Sequence, residues 1–214
     1  MLSFLFNWFV KITGWLAYTI IFRPKYYYEN KAVQSRRVKG AAIVVSNHVS
    51  VWDFAFLMFA IPFRTLRCAV AELLFRKNFA FSAFLKLAGT IRVDRDAHDL
   101  TFLSECEKVL AKGGVVEIYP EARIPDEGEE RPLEFKTSAV MLALSTGVPI
   151  IPVCHNATYF GKGRTRVMIG TPIDARELYD DTLSEKENLS KITAQIRRKI
   201  IEFSKELEKQ EKEN

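Results

Sequence analysis

Five short apolar runs recur along the chain: Ala41–Ser46, Thr90–Val93, Val115–Tyr119, Ile150–Cys154 and Arg166–Ile169. Each has the length and composition of a buried strand. The segments between them have helical character. Ala97–Lys112 follows Asp96, a candidate N-cap, and stops at Gly113-Gly114; Thr137–Thr146 stops at Gly147, before Pro149. This alternation predicts an α/β fold, a mixed central sheet covered by helices. Near the C-terminus, Ser184 and Glu187 stand at capping-box spacing. Leu189, Ile192, Ile196, Ile200, Phe203 and Leu207 then form one apolar stripe, which predicts an amphipathic helix packed on the domain and frayed over Glu208–Asn214.

At 214 residues the chain fits one domain with a core of its own. No repeat or low-complexity linker divides it. Cys68, Cys106 and Cys154 are odd in number and widely spaced. That spacing suits small buried side chains in a reducing compartment, not a disulfide framework or a metal site. His48, His98 and His155 are the only histidines and lack ligand spacing, so no metal is expected.

The net charge of +5 is unevenly distributed. Residues 1–40 hold seven basic side chains and one acid, or +6, which leaves −1 for the remainder. The basic excess flanks the most aromatic part of the chain, a pattern that suits an anionic membrane surface better than nucleic acid. Residues 1–22 are mostly apolar, with Ser3, Asn7, Lys11, Gly14 and Tyr18 tracing one helical face. The length permits a span. The polar stripe and central Lys11 point instead to an amphipathic helix, or a pair broken at Thr13-Gly14, lying in the interface. Tyr26-Tyr27-Tyr28, beside Arg23 and Lys25, reads as the aromatic and basic rim of that anchor. The anchor is therefore expected over 1–30. Leu73–Leu87, rich in Phe and Leu around Arg76, Lys77 and Lys86, suits a second membrane contact, the wall of an acyl-chain tunnel or a core helix pair.

Four motifs carry chemistry. The first is Asn47-His48-Val49-Ser50-Val51-Trp52-Asp53, at the turn between the Ala41 run and the apolar Phe54–Ile61. A His with an Asp five residues on offers a base and the group that orients it, two thirds of a serine-hydrolase triad. The missing hydroxyl would belong to the substrate. The second is Gly89-Thr90-Ile91-Arg92-Val93-Asp94-Arg95, with Arg95 placed to hold an anion or to pair with Asp94 or Asp96. The third, Val116 to Arg123, breaks at Pro120 and delivers Glu121 and Arg123 to a loop. There Arg123 can fork onto phosphate oxygens or pair with Glu121. The fourth, Val148–Val153, is an apolar strand bracketed by prolines.

In this order the motifs resemble the lysophospholipid acyltransferase family, of the bacterial 1-acyl-sn-glycerol-3-phosphate acyltransferase type. Asn47, His48 and Asp53 match its Asn-His-x-x-x-x-Asp block, and Gly89, Ile91 and Arg95 its Gly-x-Ile-x-x-x-Arg block. Phe135-Lys136-Thr137-Ser138-Ala139 resembles its Phe-Lys-x-Gly-Ala segment, and Val148–Val153 its proline-bracketed strand. The likeness covers about residues 40–172. It makes 31–183 the acyltransferase domain, with 184–214 its C-terminal helix.

The resemblance implies acyl transfer from a thioester, acyl-CoA or acyl carrier protein, to a lysophospholipid hydroxyl in phospholipid biosynthesis. It implies no resident cofactor, membrane lipids as partners and no nucleic acid. The expected location is the cytoplasmic face of the cell membrane. His48 is the expected base and Asp53 its orienting group. Asn47, Gly89, Arg95, Glu121 and Arg123 are the expected acceptor site. Two residues depart from the usual Phe-Pro-Glu-Gly: Tyr119 replaces Phe and Ala122 replaces Gly. A third departure is Ala69-Val70-Ala71 before Glu72-Leu73, where the family tends to carry Lys. The alternatives are another acceptor, such as a lyso-ornithine lipid, or a catalytically silent lipid-binding protein.

Overall fold

The computed structural model describes residues 2–76, 78–93, 101–156, 158–160 and 163–213. A seven-stranded sheet forms the centre. In chain order the elements are α1 (Leu2–Phe22), β1 (Lys25–Tyr28), β2 (Ala42–Ser46), α2 (Asp53–Ala60), β3 (Leu66–Ala71), a 3₁₀ turn (Glu72–Arg76), α3 (Phe79–Ala88) and β4 (Ile91–Val93). They continue with α4 (Thr101–Ala111), β5 (Val115–Ile118), α5 (Ser138–Thr146), β6 (Ile150–His155), β7 (Arg166–Ile169) and α6 (Glu185–Lys212). The strand order is β1-β7-β6-β2-β5-β3-β4, and every pairing is parallel except the antiparallel β6–β7.

The central strands β2, β5, β6 and β7 are buried at every position, because helices cover both faces. Period-two alternation divides their side chains. Ile43, Val45, Val116, Ile118 and Ile150 meet α4, α5 and α6, while Ala42, Val44, Val115, Ile151 and Val153 meet α1 and α2. The Ser184–Glu187 capping box forms as expected at the head of α6. That helix stays helical to Lys212, past the point where fraying was expected. The Asp96 cap lies outside the described residues. The three cysteines are free and buried.

Three elements refine the expectations. Tyr26-Tyr27-Tyr28 form edge strand β1, with Lys25 to Tyr28 in register with Arg166 to Ile169. Aromatic residues favour strands as well as interfaces, and an open edge beside β7 takes them up. Strand β3 was not anticipated, since Arg67 interrupts its apolar pattern. Helix α1 runs unbroken through Thr13-Gly14, the single-helix alternative of the two expected. A Cβ at Gly14 would stand 2.7 Å from Phe59 Cζ, so glycine serves close packing of α1 on α2.

The polar stripe of α1 faces inward. Asn7 Nδ2 donates to Ala88 O at 2.9 Å. Lys11 Nζ donates to the carbonyls of Ile61 (2.8 Å), Pro62 (3.2 Å) and Arg64 (2.5 Å), just past the C-terminus of α2. A cation suits that negative end of the helix dipole. Tyr18 stacks on Phe59 with ring centroids 4.9 Å apart. The opposite face, with Leu5, Phe9, Ile12, Leu16 and Ile20, is exposed. Among the described residues α1 is the one helix long and apolar enough to cross a membrane. In Leu73–Leu87, the 3₁₀ turn and α3 bury Leu85 against Cys68 and Val70 and expose Leu73 and Phe79, the latter at 90%. Phe84 meets Phe6 of α1 edge-on at 5.9 Å.

Candidate active site

The C-terminal ends of β2, β5 and β6 lie side by side, and the loops that leave them converge. In open α/β sheets that edge is the usual place for a ligand. From β2 come Asn47 and His48, with Asp53 opening α2. From the loop after β5 come Tyr119 and Glu121. From β6 come His155 and, four residues on, Tyr159.

Asp53 is fully buried, and every partner it has is a donor. Its Oδ2 meets His48 Nδ1 at 2.9 Å and accepts the N–H groups of Val49 (2.7 Å) and Ser50 (2.9 Å). Its Oδ1 accepts the Tyr159 hydroxyl at 2.9 Å. Burial opposes ionisation of Asp53. The His155 ring, the His48 bond and the two N–H groups outweigh it, so the carboxyl sits below its ordinary pKa. Because Asp53 accepts, His48 Nδ1 carries the proton and Nε2 holds the free lone pair. The His48 side chain keeps 20% of its surface exposed, and its ring lies on Tyr119 at 4.4 Å, 25° from parallel.

The other expected site residues divide. Asn47 is held by backbone: its Nδ2 donates to His155 O at 2.9 Å, and its Oδ1 accepts His155 N–H at 3.0 Å. It ties β2 to β6. Glu121 is buried and likewise occupied, accepting His48 N–H at 2.7 Å and Leu133 N–H at 2.8 Å. Burial raises its pKa against those two bonds. It braces the His48 turn and pairs with no arginine among the described residues. Arg123 points away to the surface and forks onto Glu129, both bonds at 2.6 Å. The pair holds the Glu129 carboxyl down at about 2. Gly89 ends α3 at φ +72°, where the Arg67 guanidinium occupies the space a side chain would need. It has a packing role. Arg95 lies outside the described residues.

Ala122 has φ +62°. The glycine of the Phe-Pro-Glu-Gly pattern is thereby explained by the left-handed turn itself. Tyr119 is explained by a buried acid two residues before it. Glu117, on β5 opposite Val44 and Cys68, is completely buried, and its Oε1 accepts the Tyr119 hydroxyl. Its Oε2 has no hydrogen-bond partner among the described residues, and burial pushes its pKa up to about 8. Phenylalanine at 119 would leave that carboxyl without a donor. A lone acid inside Val-Val-Glu-Ile was the available signal. His155 is buried as well, which lowers its pKa; Tyr159 carried no signal in the sequence. Among the described residues no group of three His, Cys, Asp or Glu is arranged to hold a metal.

A family model and curated relatives agree on one family, and a solved structure shares the fold. The Acyltransferase family model matches residues 25–156. Human 1-acyl-sn-glycerol-3-phosphate acyltransferase beta is 31% identical over 153 residues, covering 69% of this chain and 53% of that protein. The Pseudomonas aeruginosa 1-acyl-sn-glycerol-3-phosphate acyltransferase is 31% identical over 146 residues, 62% of this chain and 54% of its own. The chain thus spans about half the length of the curated relatives it matches. The crystal structure of the 1-acyl-sn-glycerophosphate (LPA) acyltransferase PlsC from Thermotoga maritima superposes with a TM-score of 0.62 at 24% identity. It covers 91% of this chain and 78% of that one and shares the fold. With the family model matched over more than half its length, this chain belongs to the Acyltransferase family.

Proposed function

We propose that the protein moves a fatty acyl group from an acyl thioester to the hydroxyl of a lysophospholipid, 1-acyl-sn-glycerol 3-phosphate in the first instance. The observation that carries this reading is the His48 Nδ1–Asp53 Oδ2 bond of 2.9 Å. The printed names of the relatives support it. The acceptor hydroxyl takes the place a serine has in a triad. His48 Nε2 removes its proton as the oxygen attacks the thioester carbonyl carbon. The C–O bond forms, the C–S bond breaks, and the thiolate leaves with the proton from the imidazolium. Asp53 stabilises that imidazolium without itself being protonated. Acyl-CoA or acyl carrier protein acts as a substrate, and no resident cofactor or metal is called on.

The outward apolar face of α1 supports a monotopic membrane anchor, and the cytoplasmic face is its proposed side. Lys11 is no argument against insertion, since the domain itself solvates it through three carbonyls. One observation favours a second acceptor. Arg123, expected on a phosphate, is already bidentate to Glu129, so a phosphate must displace a carboxylate, whereas a phosphate-free lysolipid need not. Purified protein assayed with 1-acyl-sn-glycerol 3-phosphate and with lyso-ornithine lipid, each with both donors, decides. Phosphatidic acid formed by wild type and abolished in His48→Ala supports the main reading. Acylation of neither lipid removes it.

A further inference from the structure

Asp53 is held from two sides. His48 and the 49–50 backbone take one oxygen, and Tyr159 takes the other at 2.9 Å. The Tyr159 hydroxyl also stands 3.3 Å from His155 Nδ1, while His155 Nε2, buried and without a hydrogen-bond partner among the described residues, lies 3.8 Å from Asp53 Oδ1. The hydroxyl gives its single proton to Asp53, so it receives from His155. A continuous chain results: His155, Tyr159, Asp53, His48. Tyr159 is in turn fixed from outside. Phe22, the last residue of α1, meets its ring edge-on at 5.0 Å, and Phe56 of α2 packs at 5.5 Å. Its neighbour Phe160, at φ +57°, packs on Phe22 at 6.0 Å and on Trp52 at 5.2 Å. A bulky residue in the left-handed region is a strained arrangement that neighbouring contacts must impose.

We propose that Tyr159 is a positioning residue of the His48–Asp53 pair, and that the end of α1 sets its place through Phe22. The hydroxyl fixes the rotation of the Asp53 carboxylate, and with it the direction in which Oδ2 presents to His48. Without that donor Asp53 can turn about its terminal torsion, which has a broad minimum. Its charge is then shared among fewer donors, so it interacts more strongly with a protonated His48. The proposal rests on the acyl-transfer reading only for its kinetic consequences.

Tyr159→Phe tests it, since it removes one oxygen and keeps both ring packings. The titratable groups that face Asp53 are His48 from its own turn, His155 from the end of β6 and Tyr159 from the segment after it, Cys68 from β3, and Glu117, Tyr119 and Glu121 from β5 and its loop. Of these the substitution removes only Tyr159. Per folded molecule, kcat is expected to fall about tenfold or more, within the range of a displaced catalytic group. Both KM values should stay put, and the acid limb of kcat/KM should move to higher pH. The His48 Nδ1–H proton resonance should shift or broaden, a readout that needs no turnover. Phe22→Leu keeps the hydroxyl and loosens its support, so it should produce the same changes, smaller, and add little in the double variant. Unchanged kcat, pH limb and resonance in folded Tyr159→Phe, or in Phe22→Leu should the former not fold, overturn the proposal. A wild type that transfers no acyl group while the resonance still responds sinks the function and leaves the positioning role.

Discussion

Glu121 Oε1 accepts the backbone N–H of His48 at 2.7 Å, while its other oxygen accepts the N–H of Leu133 at 2.8 Å. One buried carboxylate thereby joins the turn that carries the base to the loop that follows β5. Arg197 of α6 grips the same loop from behind, through the carbonyls of Leu133 (2.9 Å) and Pro132 (2.8 Å). The glutamate of the Pro-Glu pair is accordingly a brace for His48.

Glu121→Gln tests the brace. The amide can accept from one N–H only and turns a donor toward the other. Hydrogen bonds to a charged group contribute about 1.5–3 kcal/mol each, so a stability loss of that order is expected. Turnover should fall in parallel while the acceptor KM changes little. Urea unfolding with steady-state kinetics checks both. A large rise in acceptor KM alone would return Glu121 to the substrate.

Glu117 makes stability depend on pH. Its pKa is about 8 in the fold against an ordinary 4.5, so the native state holds a proton that the unfolded chain gives up in that window. Stability is full below the unfolded value and falls as pH rises through about 8. Glu117→Gln keeps the shape and removes the titration. Thermal melts from pH 5 to 8.5 should show a decline in wild type that is reduced in the variant. Parallel curves would place the charge elsewhere.

Much of this molecule was legible beforehand, and the misses share a cause. Strands β2, β5, β6 and β7 announced themselves because burial on both faces demands unbroken apolar runs. The His48–Asp53 contact was legible because both residues lie on one short turn. Edge strand β1 was obscured because tyrosines flanked by Lys and Arg satisfy a membrane interface and a sheet edge equally. Glu121 and Arg123 were assigned by residue type, and residue type does not reveal that Leu133 and Glu129 arrive first. Tyr159 reaches Asp53 across 106 positions, a contact no local pattern encodes.

Ala122→Gly should stabilise the protein. A left-handed conformation costs an L-residue about 1–2 kcal/mol, and the added freedom of glycine returns about 0.5–1 kcal/mol of that to the unfolded chain. The net gain is up to about 1.5 kcal/mol, a rise in Tm of up to about 3–6 °C for a chain of this size. Calorimetry checks it. A lower Tm would mean that the Ala122 methyl makes contacts worth more than the strain.

Arg123 and Glu129 give a two-sided test of phosphate recognition. If the guanidinium receives the acceptor phosphate, Glu129 is its competitor. Arg123→Ala should then raise the acceptor KM by about one to two decades. Glu129→Gln should lower it, by no more than severalfold, because an exposed pair is worth about 0.2–1 kcal/mol. Donor KM should stay constant in both. Shifts in the same direction would make the pair a loop clasp with no part in binding.

The inverted arrangement of α1 separates membrane attachment from folding. Removing residues 1–22 takes Tyr18 and Phe22 out of the core cluster with Phe56 and Phe59, at about 1.5–3 kcal/mol for each such side chain. It also strips Lys11 from three carbonyls. Truncation is therefore expected to unfold the domain rather than release it. Glutamate at outward positions, Phe9→Glu with Ile12→Glu and Leu16→Glu, should leave the far-UV spectrum and Tm near wild type, since these side chains are exposed. The same variant should stay at the bottom of a vesicle flotation gradient on which the wild type rises. Lys11→Met should do the reverse, lowering Tm while flotation persists. If the triple glutamate variant floats like wild type, the exposed face of α1 is not the anchor, and Leu73, Phe79 and Phe81 become the place to look.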